Sequence, residues 1–274
     1  MNKVILGELK IDDFITQTID GLENVNQSVD ALHSGDCLRA VVKISQSNQA
    51  PSKVRVTNSI KYFGGSLKTV KHWSKVNNCE MTFNIYLPDE TIKEQRCDAY
   101  PVIYFLSGLE ANHENFSIKS HFGIYAHQHK IACVFPDTSP RDVAIDGIKD
   151  DWRFGIGAGY YVDATAEKYK AHFNMYSYVN EELPEVVAQH FHVDNNRKSI
   201  SGFSMGGMGA LVSYFRNQGK FRSVSAFAPI SHPTASSWGE NAFSKYLGSV
   251  EAGKAYDPTH LVSGASQTTP LLID

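Results

Sequence analysis

The 274-residue sequence predicts an α/β fold with a mostly parallel sheet and helices on both faces. Two continuous apolar runs, residues 102–106 and 131–135, are typical of strands buried on both faces, and a helical stretch at 121–130 separates them. Strand–helix–strand order implies a parallel pair. The third observation is the sequence G-x-S-x-G at residues 202–206, which β-type residues precede and a helical pattern over 208–215 follows.

The G-x-S-x-G sequence in this context is typical of the nucleophile elbow of an α/β-hydrolase. There a strand turns sharply into a helix and holds the serine in a strained conformation. Gly202 and Gly206 leave room for the tight turn, because a Cβ at either position would clash with neighbouring backbone. This interpretation makes Ser204 the candidate nucleophile. The alternative is a glycine-rich loop that contains serines without catalytic meaning.

Composition and charge exclude several classes of function. The net charge of −3 suggests no role at nucleic acid or at a membrane surface. No stretch approaches the roughly 20 apolar residues that span a bilayer, and the N-terminal apolar run is too short for a signal peptide. The cysteines have no metal-ligand spacing and are expected to be reduced, as in the cytosol; they are Cys37, Cys79, Cys97 and Cys133. We therefore expect a cytoplasmic protein without a metal or cofactor.

The chain is predicted to contain three parts. Residues 1–45 form a small αβ unit, residues 46–58 are a polar linker, and residues 59–274 form the hydrolase domain. In the first part, Asp20 is a candidate N-cap and Gly35 a stop signal for one helix, which a strand from Cys37 to Ile44 follows. Helical spacing is shown by Leu22, Val25, Val29 and Leu32.

Patterning places the remaining elements of the hydrolase domain. Residues 67–73 are predicted to be an edge strand, and residues 81–87 alternate as a half-buried strand does. Residues 176–192 are helical by pattern, kinked or restarted at Pro184. Two more strands are predicted at residues 223–228 and 270–274.

A glycine- and aromatic-rich segment, residues 137–165, is predicted to be an ordered loop near the active site. Its run of glycines at residues 155–159 does not complete the nucleotide-binding pattern G-x-G-x-x-G, because Tyr160 stands at the third glycine and no strand precedes it.

A serine nucleophile needs a base, usually a histidine oriented by a carboxylate. After Ser204 the histidines are His232 and His260. In this fold the acid and then the histidine lie on loops after later strands. His232 comes too early by that order. Asp257 and His260 are only three residues apart, with no strand between them, so a structural or surface role is favoured for both histidines. Asp274 ends the strand that should precede the acid loop and is a poor candidate for the acid.

Residues 59–274 resemble S-formylglutathione hydrolases, the esterase D family. The matching stretches are residues 106–109, 136–141, 155–165, 175–179, 181–184, 201–207, 223–230 and 255–262. The resemblance implies that Ser204 is the nucleophile and that the backbone amides of Leu109 and Met205 form the oxyanion hole. It also implies that the acid and histidine fall beyond Asp274, so that the hydrolase domain is C-terminally incomplete. The chain departs from the family at three positions, where histidine, glycine and cysteine are usual: Phe203, Asp142 and Ala111.

Three stretches near the N-terminus, residues 7–16, 30–35 and 38–44, are similar to the C-terminal tail of glutathione-dependent formaldehyde dehydrogenase (class III alcohol dehydrogenase). The zinc ligands and nucleotide-binding half of that family are absent from this sequence, so no dehydrogenase activity is implied. In these families the dehydrogenase makes S-formylglutathione and the hydrolase cleaves it. The two resemblances together suggest that the chain derives from a fusion of the two enzymes.

The expected function is therefore thioester hydrolysis of S-formylglutathione to formate and glutathione, within formaldehyde detoxification. Because the expected acid and histidine are missing, we expect this chain to be inactive or nearly so. Two alternatives stay open: a carboxylesterase of broad specificity, and a non-catalytic fragment that binds a partner or glutathione. A homodimer is a further alternative to a monomer.

Overall fold

A computed structural model describes residues 17–20, 30, 33–35, 40–43, 54–88, 98–266 and 269–274. The chain divides into two compact units, Met1–Pro51 and Ser52–Asp274. Within the described part of the chain, no helix is long and apolar enough to cross a membrane.

The first unit contains two parallel strands, β1 (Gln17–Asp20) and β2 (Ala40–Lys43), paired from Gln17 with Ala40 onward. Asp20, the predicted N-cap, is the last residue of β1. Of the predicted helix, Asp30 is helical, and Gly35 has the positive φ of 77° expected at a helix stop. Leu22, Val25, Val29, Leu32, Cys37 and Ile44 lie outside the described residues.

The second unit is built on an eight-stranded mixed sheet in the order β10-β9-β8-β6-β7-β5-β4-β3. Its strands are β3 (Arg55–Tyr62), β4 (Gly65–Ser74), β5 (Cys79–Leu87), β6 (Tyr100–Leu106), β7 (Ala132–Pro136), β8 (Val193–Phe203), β9 (Val224–Phe227) and β10 (Leu271–Ile273). β3, β4, β5 and β7 pair antiparallel, and the pairs from β7 through β6, β8 and β9 to β10 are parallel. The predicted parallel pair of β6 and β7 is confirmed.

Seven α-helices connect or cover these strands in the described part of the unit. They are α1 (Asn115–Lys119), α2 (Gly123–Gln128), α3 (Met175–Ser177), α4 (Leu183–His190), α5 (Met205–Arg216), α6 (Ser237–Leu247) and α7 (Pro258–Leu261). The larger core includes Val134 and most of α5, while Cys133 and Phe135, the neighbours of Val134 in β7, belong to a smaller core with Ala126 of α2. Because successive side chains of a strand point to opposite faces, apolar packing occurs on both faces of the sheet. The predicted α/β-hydrolase fold class is confirmed.

Two predictions are wrong at the antiparallel end of the sheet: the end of the linker and the assignment of residues 67–73 as an edge strand. The linker was predicted to reach residue 58, yet β3 begins at Arg55, and β4 is an inner strand because β3 covers its outer edge. The physical reason is that β3 is exposed along nearly its whole length. An edge strand with both faces in solvent has no apolar alternation, so its sequence resembles a polar loop.

The predicted kink at Pro184 is a turn of π-helix. Tyr178–Glu182 forms this turn between α3 and α4, and Pro184 then occupies the first turn of α4. Proline has no N–H to donate and fits best at a helix start. The π-helical turn before it is of the single-turn kind that occurs as a bulge within α-helices.

Candidate active site

Ser204 stands at the junction of β8 and α5, as the G-x-S-x-G sequence predicts. Its backbone has φ 56° and ψ −118°, a sparsely populated conformation that costs about 1–3 kcal/mol and persists only where the surroundings enforce it. The enforcing contacts are backbone hydrogen bonds. The Ser204 amide donates to the Phe227 carbonyl at 2.9 Å, and the Ser204 carbonyl accepts from the amides of Met208 at 3.0 Å and Ile230 at 3.3 Å.

The two glycines of the elbow are required by close backbone approach. A Cβ on Gly206 would lie 1.9 Å from the carbonyl oxygen of Leu106, and a Cβ on Gly202 would lie 2.1 Å from the carbonyl oxygen of Gly206. Neither neighbour is a flexible side chain that could move aside. The elbow therefore packs directly against the end of β6, which brings the loop after β6 next to Ser204.

The loop after β6 places the predicted oxyanion-hole residue Leu109 beside the elbow. A Cβ on Gly108 would lie 3.2 Å from the Ser204 Cβ, so the backbone of the loop borders the serine side chain. Within the described part of the chain, no hydrogen-bond acceptor pairs with the Leu109 amide. Met205 is the first residue of α5, and the first amides of a helix have no intrahelical acceptor. Two backbone donors, those of Leu109 and Met205, thus lie near the serine.

Hydrogen bonds from later segments fix this loop in place. The Glu110 amide donates to the Gly157 carbonyl at 2.9 Å, and the Tyr161 hydroxyl donates to the Ser107 carbonyl at 2.9 Å. Gly157 and Tyr161 belong to the predicted ordered loop 137–165. That segment acts as a support for the site, and its glycines serve close packing.

Asp137, directly after β7, helps to hold the loop after β6 through Arg141. Its carboxylate accepts from Arg141 Nε at 2.8 Å, and Arg141 Nη2 donates to the Ala111 carbonyl at 2.9 Å. Burial by itself would raise the pKa of the Asp137 carboxyl, but hydrogen bonds from His113 and Arg141 and the charge of Arg141 together lower it. The carboxylate is therefore ionised at neutral pH. Apart from the match of residues 136–141 to the family, no local pattern in the sequence indicates this role.

Ser204 lines a cavity of about 470 Å³. The cavity is mostly apolar, and the ring pair of Trp152 and Trp238, with centroids 5.8 Å apart, stands at its wall. Phe203, directly before the serine, is 51% exposed and faces the same space. The lining residues are Phe105, Ser107, Gly108, Leu109, Ala111, Asn115, Phe116, Lys119, Ser120, Trp152, Phe203, Ser204 and Trp238. A cavity of this kind suits a small organic substrate with few polar groups near the reacting atom.

No histidine or carboxylate lines this cavity among the residues that the structure describes. His232 instead pairs with Asp257, Nδ1 to Oδ2 at 2.9 Å, and neither side chain forms a described hydrogen bond with Ser204. Asp274 follows β10, two strands from β8, and its backbone amide donates to the Ala226 carbonyl. Among the described residues, neither candidate histidine lines the cavity or forms a hydrogen bond with Ser204.

The pairing of His232 with Asp257 was not predicted from the sequence. The two residues are 25 positions apart, and each directly precedes a short helical turn that carries no periodic signal. A backbone hydrogen bond from Thr259 to Ser231, 3.2 Å, brings the two segments together. The expectation that neither histidine serves as the base of Ser204 remains untested.

The elbow, the facing amides and the sheet order define the class of protein, a serine esterase of the α/β-hydrolase fold. The family model described as putative esterase matches residues 74–271. S-formylglutathione hydrolase of Mus musculus is 48% identical over 219 residues, 79% of this chain and 76% of its own length. The Arabidopsis thaliana enzyme of that name is 46% identical with the same coverage. The solved structure of an S-formylglutathione hydrolase from Agrobacterium tumefaciens has a TM-score of 0.75 at 39% identity, covering 80% of this chain and 78% of its own.

These similarities cover most of each chain at identities well above those that indicate fold alone. The chain belongs to the S-formylglutathione hydrolase family of esterases.

Proposed function

We propose that the chain is a serine thioesterase that hydrolyses S-formylglutathione to formate and glutathione. The observation that carries the proposal is the strained Ser204 beside the Leu109 loop, at the opening of an aromatic cavity. The relatives named S-formylglutathione hydrolase support the choice of substrate.

In the proposed reaction, Ser204 Oγ attacks the formyl carbon and loses its proton to a base. The tetrahedral intermediate carries its negative oxygen at the amides of Leu109 and Met205. Removing one such donor from an oxyanion hole raises the activation free energy by about 2.7–4 kcal/mol. Collapse breaks the carbon–sulfur bond, and the base passes the proton to the sulfur, so that glutathione leaves as the thiol. Water then attacks the formyl ester, and formate leaves as Ser204 regains its proton.

The base is the part of this mechanism that the described residues do not supply to Ser204. Because no described histidine or carboxylate lines the Ser204 cavity, we infer that turnover is slow. Loss of triad members lowers the rate by several orders of magnitude. A rate about 10³–10⁴-fold above that of the reaction in water can persist, because the oxyanion hole and substrate binding still act. A slow, Ser204-dependent reaction is the expected behaviour.

The test is hydrolysis of S-formylglutathione by the chain, by Ser204→Ala and by Ser201→Ala. Ser201 lies on the same strand, three residues before the nucleophile, and is the matched serine control. We expect a slow rate above the uncatalysed reaction that Ser204→Ala removes and Ser201→Ala keeps. An equal rate in the chain and in Ser204→Ala would overturn the proposal and favour a non-catalytic fragment.

A broad-specificity carboxylesterase is the second candidate, because the cavity wall is largely aromatic and apolar. Comparing kcat/KM for S-formylglutathione with that for a simple aryl ester separates the two. If the chain is a thioesterase, we expect kcat/KM to be higher for S-formylglutathione than for the aryl ester.

We further propose a cytoplasmic location and an origin of residues 1–45 in the tail of a formaldehyde dehydrogenase. The support is sequence resemblance and the absence of a membrane-crossing helix among the described residues. Sequencing the parent transcript tests the fusion, which is dropped if no dehydrogenase reading frame lies upstream. Sedimentation velocity separates a monomer from the alternative homodimer.

A further inference from the structure

A cluster of metal-binding side chains lies on the segments that follow β9, outside the Ser204 cavity. His232 precedes a short 3-10 turn, Pro233–Ala235, while Asp257 caps α7 and His260 lies within it. The rings of His232 and His260 have centroids 5.5 Å apart. One ligand atom from each of the three residues lies within 4.8 Å of the others.

Asp257 is held as a fixed, ionised acceptor at the centre of the cluster. Its side chain is fully buried. Oδ2 accepts from the Thr234 amide at 3.0 Å and from the Thr234 hydroxyl at 2.5 Å, and Oδ1 accepts from the Thr259 amide at 2.9 Å. Hydrogen-bonded carboxylates of this kind are typical metal ligands, because their partners orient them.

The two histidines are free to complete a site around that carboxylate. The His232 side chain is 44% exposed, and His260 is exposed on α7. Bonds of about 2.0–2.2 Å place neighbouring ligand atoms roughly 3.3–3.6 Å apart at the tetrahedral angle that Zn²⁺ prefers. His232 Nδ1 and Asp257 Oδ2 are already 2.9 Å apart, so rotation of the exposed His260 ring brings in the third ligand.

We propose that His232, Asp257 and His260 bind a divalent first-row transition metal, with Zn²⁺ as the representative ion. Imidazole nitrogens with one carboxylate oxygen suit Zn²⁺, Ni²⁺ or Cu²⁺ and disfavour Ca²⁺ and Mg²⁺, which prefer all-oxygen ligands. In the loaded state, two bonds to the cation replace the hydrogen bond between His232 and Asp257. Solvent fills the open positions, because both imidazoles face water.

The site would join two segments that lie 25 residues apart in sequence. A cation bound only by the folded chain raises its stability by mass action. The consequence is a rise in the melting temperature with Zn²⁺ that does not depend on catalysis by Ser204.

The test is isothermal titration of the chain, without an affinity tag, with Zn²⁺ at about pH 7.5, because protons compete with a metal for its ligands at lower pH. We expect one strong site, and a loss of affinity of more than about tenfold in both His232→Asn and His260→Asn, since even outer partners of metal ligands are worth 10–100-fold. His129→Asn, at an exposed histidine after α2, is the matched control and should bind as the parent does. Mg²⁺ should give no heat.

A second measurement uses the unaltered chain. Zn²⁺ should protect His232 and His260, and not His129, from diethyl pyrocarbonate, as mapped by mass spectrometry. Absence of a strong site, binding unchanged in the double variant His232→Asn/His260→Asn, or equal modification of the three histidines with and without Zn²⁺ would overturn the proposal.

Discussion

Lys119, at the end of α1, is the one basic side chain that lines the Ser204 cavity in the described part of the chain. The other lining residues are neutral and largely apolar. Glutathione carries two carboxylates, so under the proposed function this ammonium is the natural partner of one of them. Because Lys119 is exposed, the interaction is screened by water and is worth about 0.5–1 kcal/mol.

We therefore predict that Lys119→Ala weakens binding of glutathione, measured by titration calorimetry, about two- to fivefold, the equivalent of that free energy. Lys61→Ala on the exposed strand β3 is the charge-matched control and should leave the affinity unchanged. Equal losses in both variants would show that only net charge matters.

Asp137 is expected to make stability depend on pH. Its folded-state pKa lies below the ordinary value, so its contribution is present above about pH 4, near the unfolded pKa, and is lost as the pH falls through the folded pKa. We predict that Asp137→Asn lowers the free energy of unfolding by about 2 kcal/mol at pH 7. The difference between parent and variant should shrink steadily in acid, as urea titrations from pH 7 to pH 3 would show. A pH-independent difference would mean that the carboxylate charge plays no part.

At the scale of elements, the site depends on the contact between the elbow and the end of β6. We predict that Gly206→Ala destabilises the fold by about 3 kcal/mol, at the upper end of the cost of overpacking, because its Cβ would meet the Leu106 carbonyl at 1.9 Å. Gly264→Ala is the matched control, since a Cβ there meets nothing within 4 Å. Chemical denaturation measures both variants, and a Gly206→Ala protein as stable as Gly264→Ala would refute the tight elbow.

The elements that sequence reasoning located well are those with strong local patterns. β6 and β7 are apolar runs, and the elbow has glycines at fixed positions, so periodicity and turn chemistry sufficed. β3 was missed because Val56 and Ile60 point to solvent and the strand has no buried face. The error at β4 follows from that omission, since a strand is an edge only relative to its neighbours.

The same limit applies to the candidate site. The loop after β6 borders Ser204, and the role of the Leu109 amide in the oxyanion hole stays a prediction from the family resemblance. The contact of His232 with Asp257 depends on how two irregular segments fold back on each other, and no local pattern reports that. The support of the Leu109 loop by Asp137 and Arg141 was invisible for the same reason.

At the scale of the whole molecule, the sheet has an exposed edge at β10. This strand pairs only with β9 among the described strands, and Ile273 is 56% exposed. An unpaired apolar edge is a template for association with another chain. We predict that Ile273→Lys reduces concentration-dependent association in sedimentation velocity. Ile118→Lys, at a helical position 52% exposed, is the control for added charge and should not reduce it.

The central claim is that Ser204 is a nucleophile aimed at the amides of Leu109 and Met205. The most direct test is a crystal structure of the chain with a boronic acid that forms a tetrahedral adduct with serine. We expect a bond from Ser204 Oγ to boron, with one boronate oxygen about 2.7–3.1 Å from both amide nitrogens. An adduct on another residue, no adduct at saturating inhibitor, or a boronate oxygen turned away from Leu109 would contradict it.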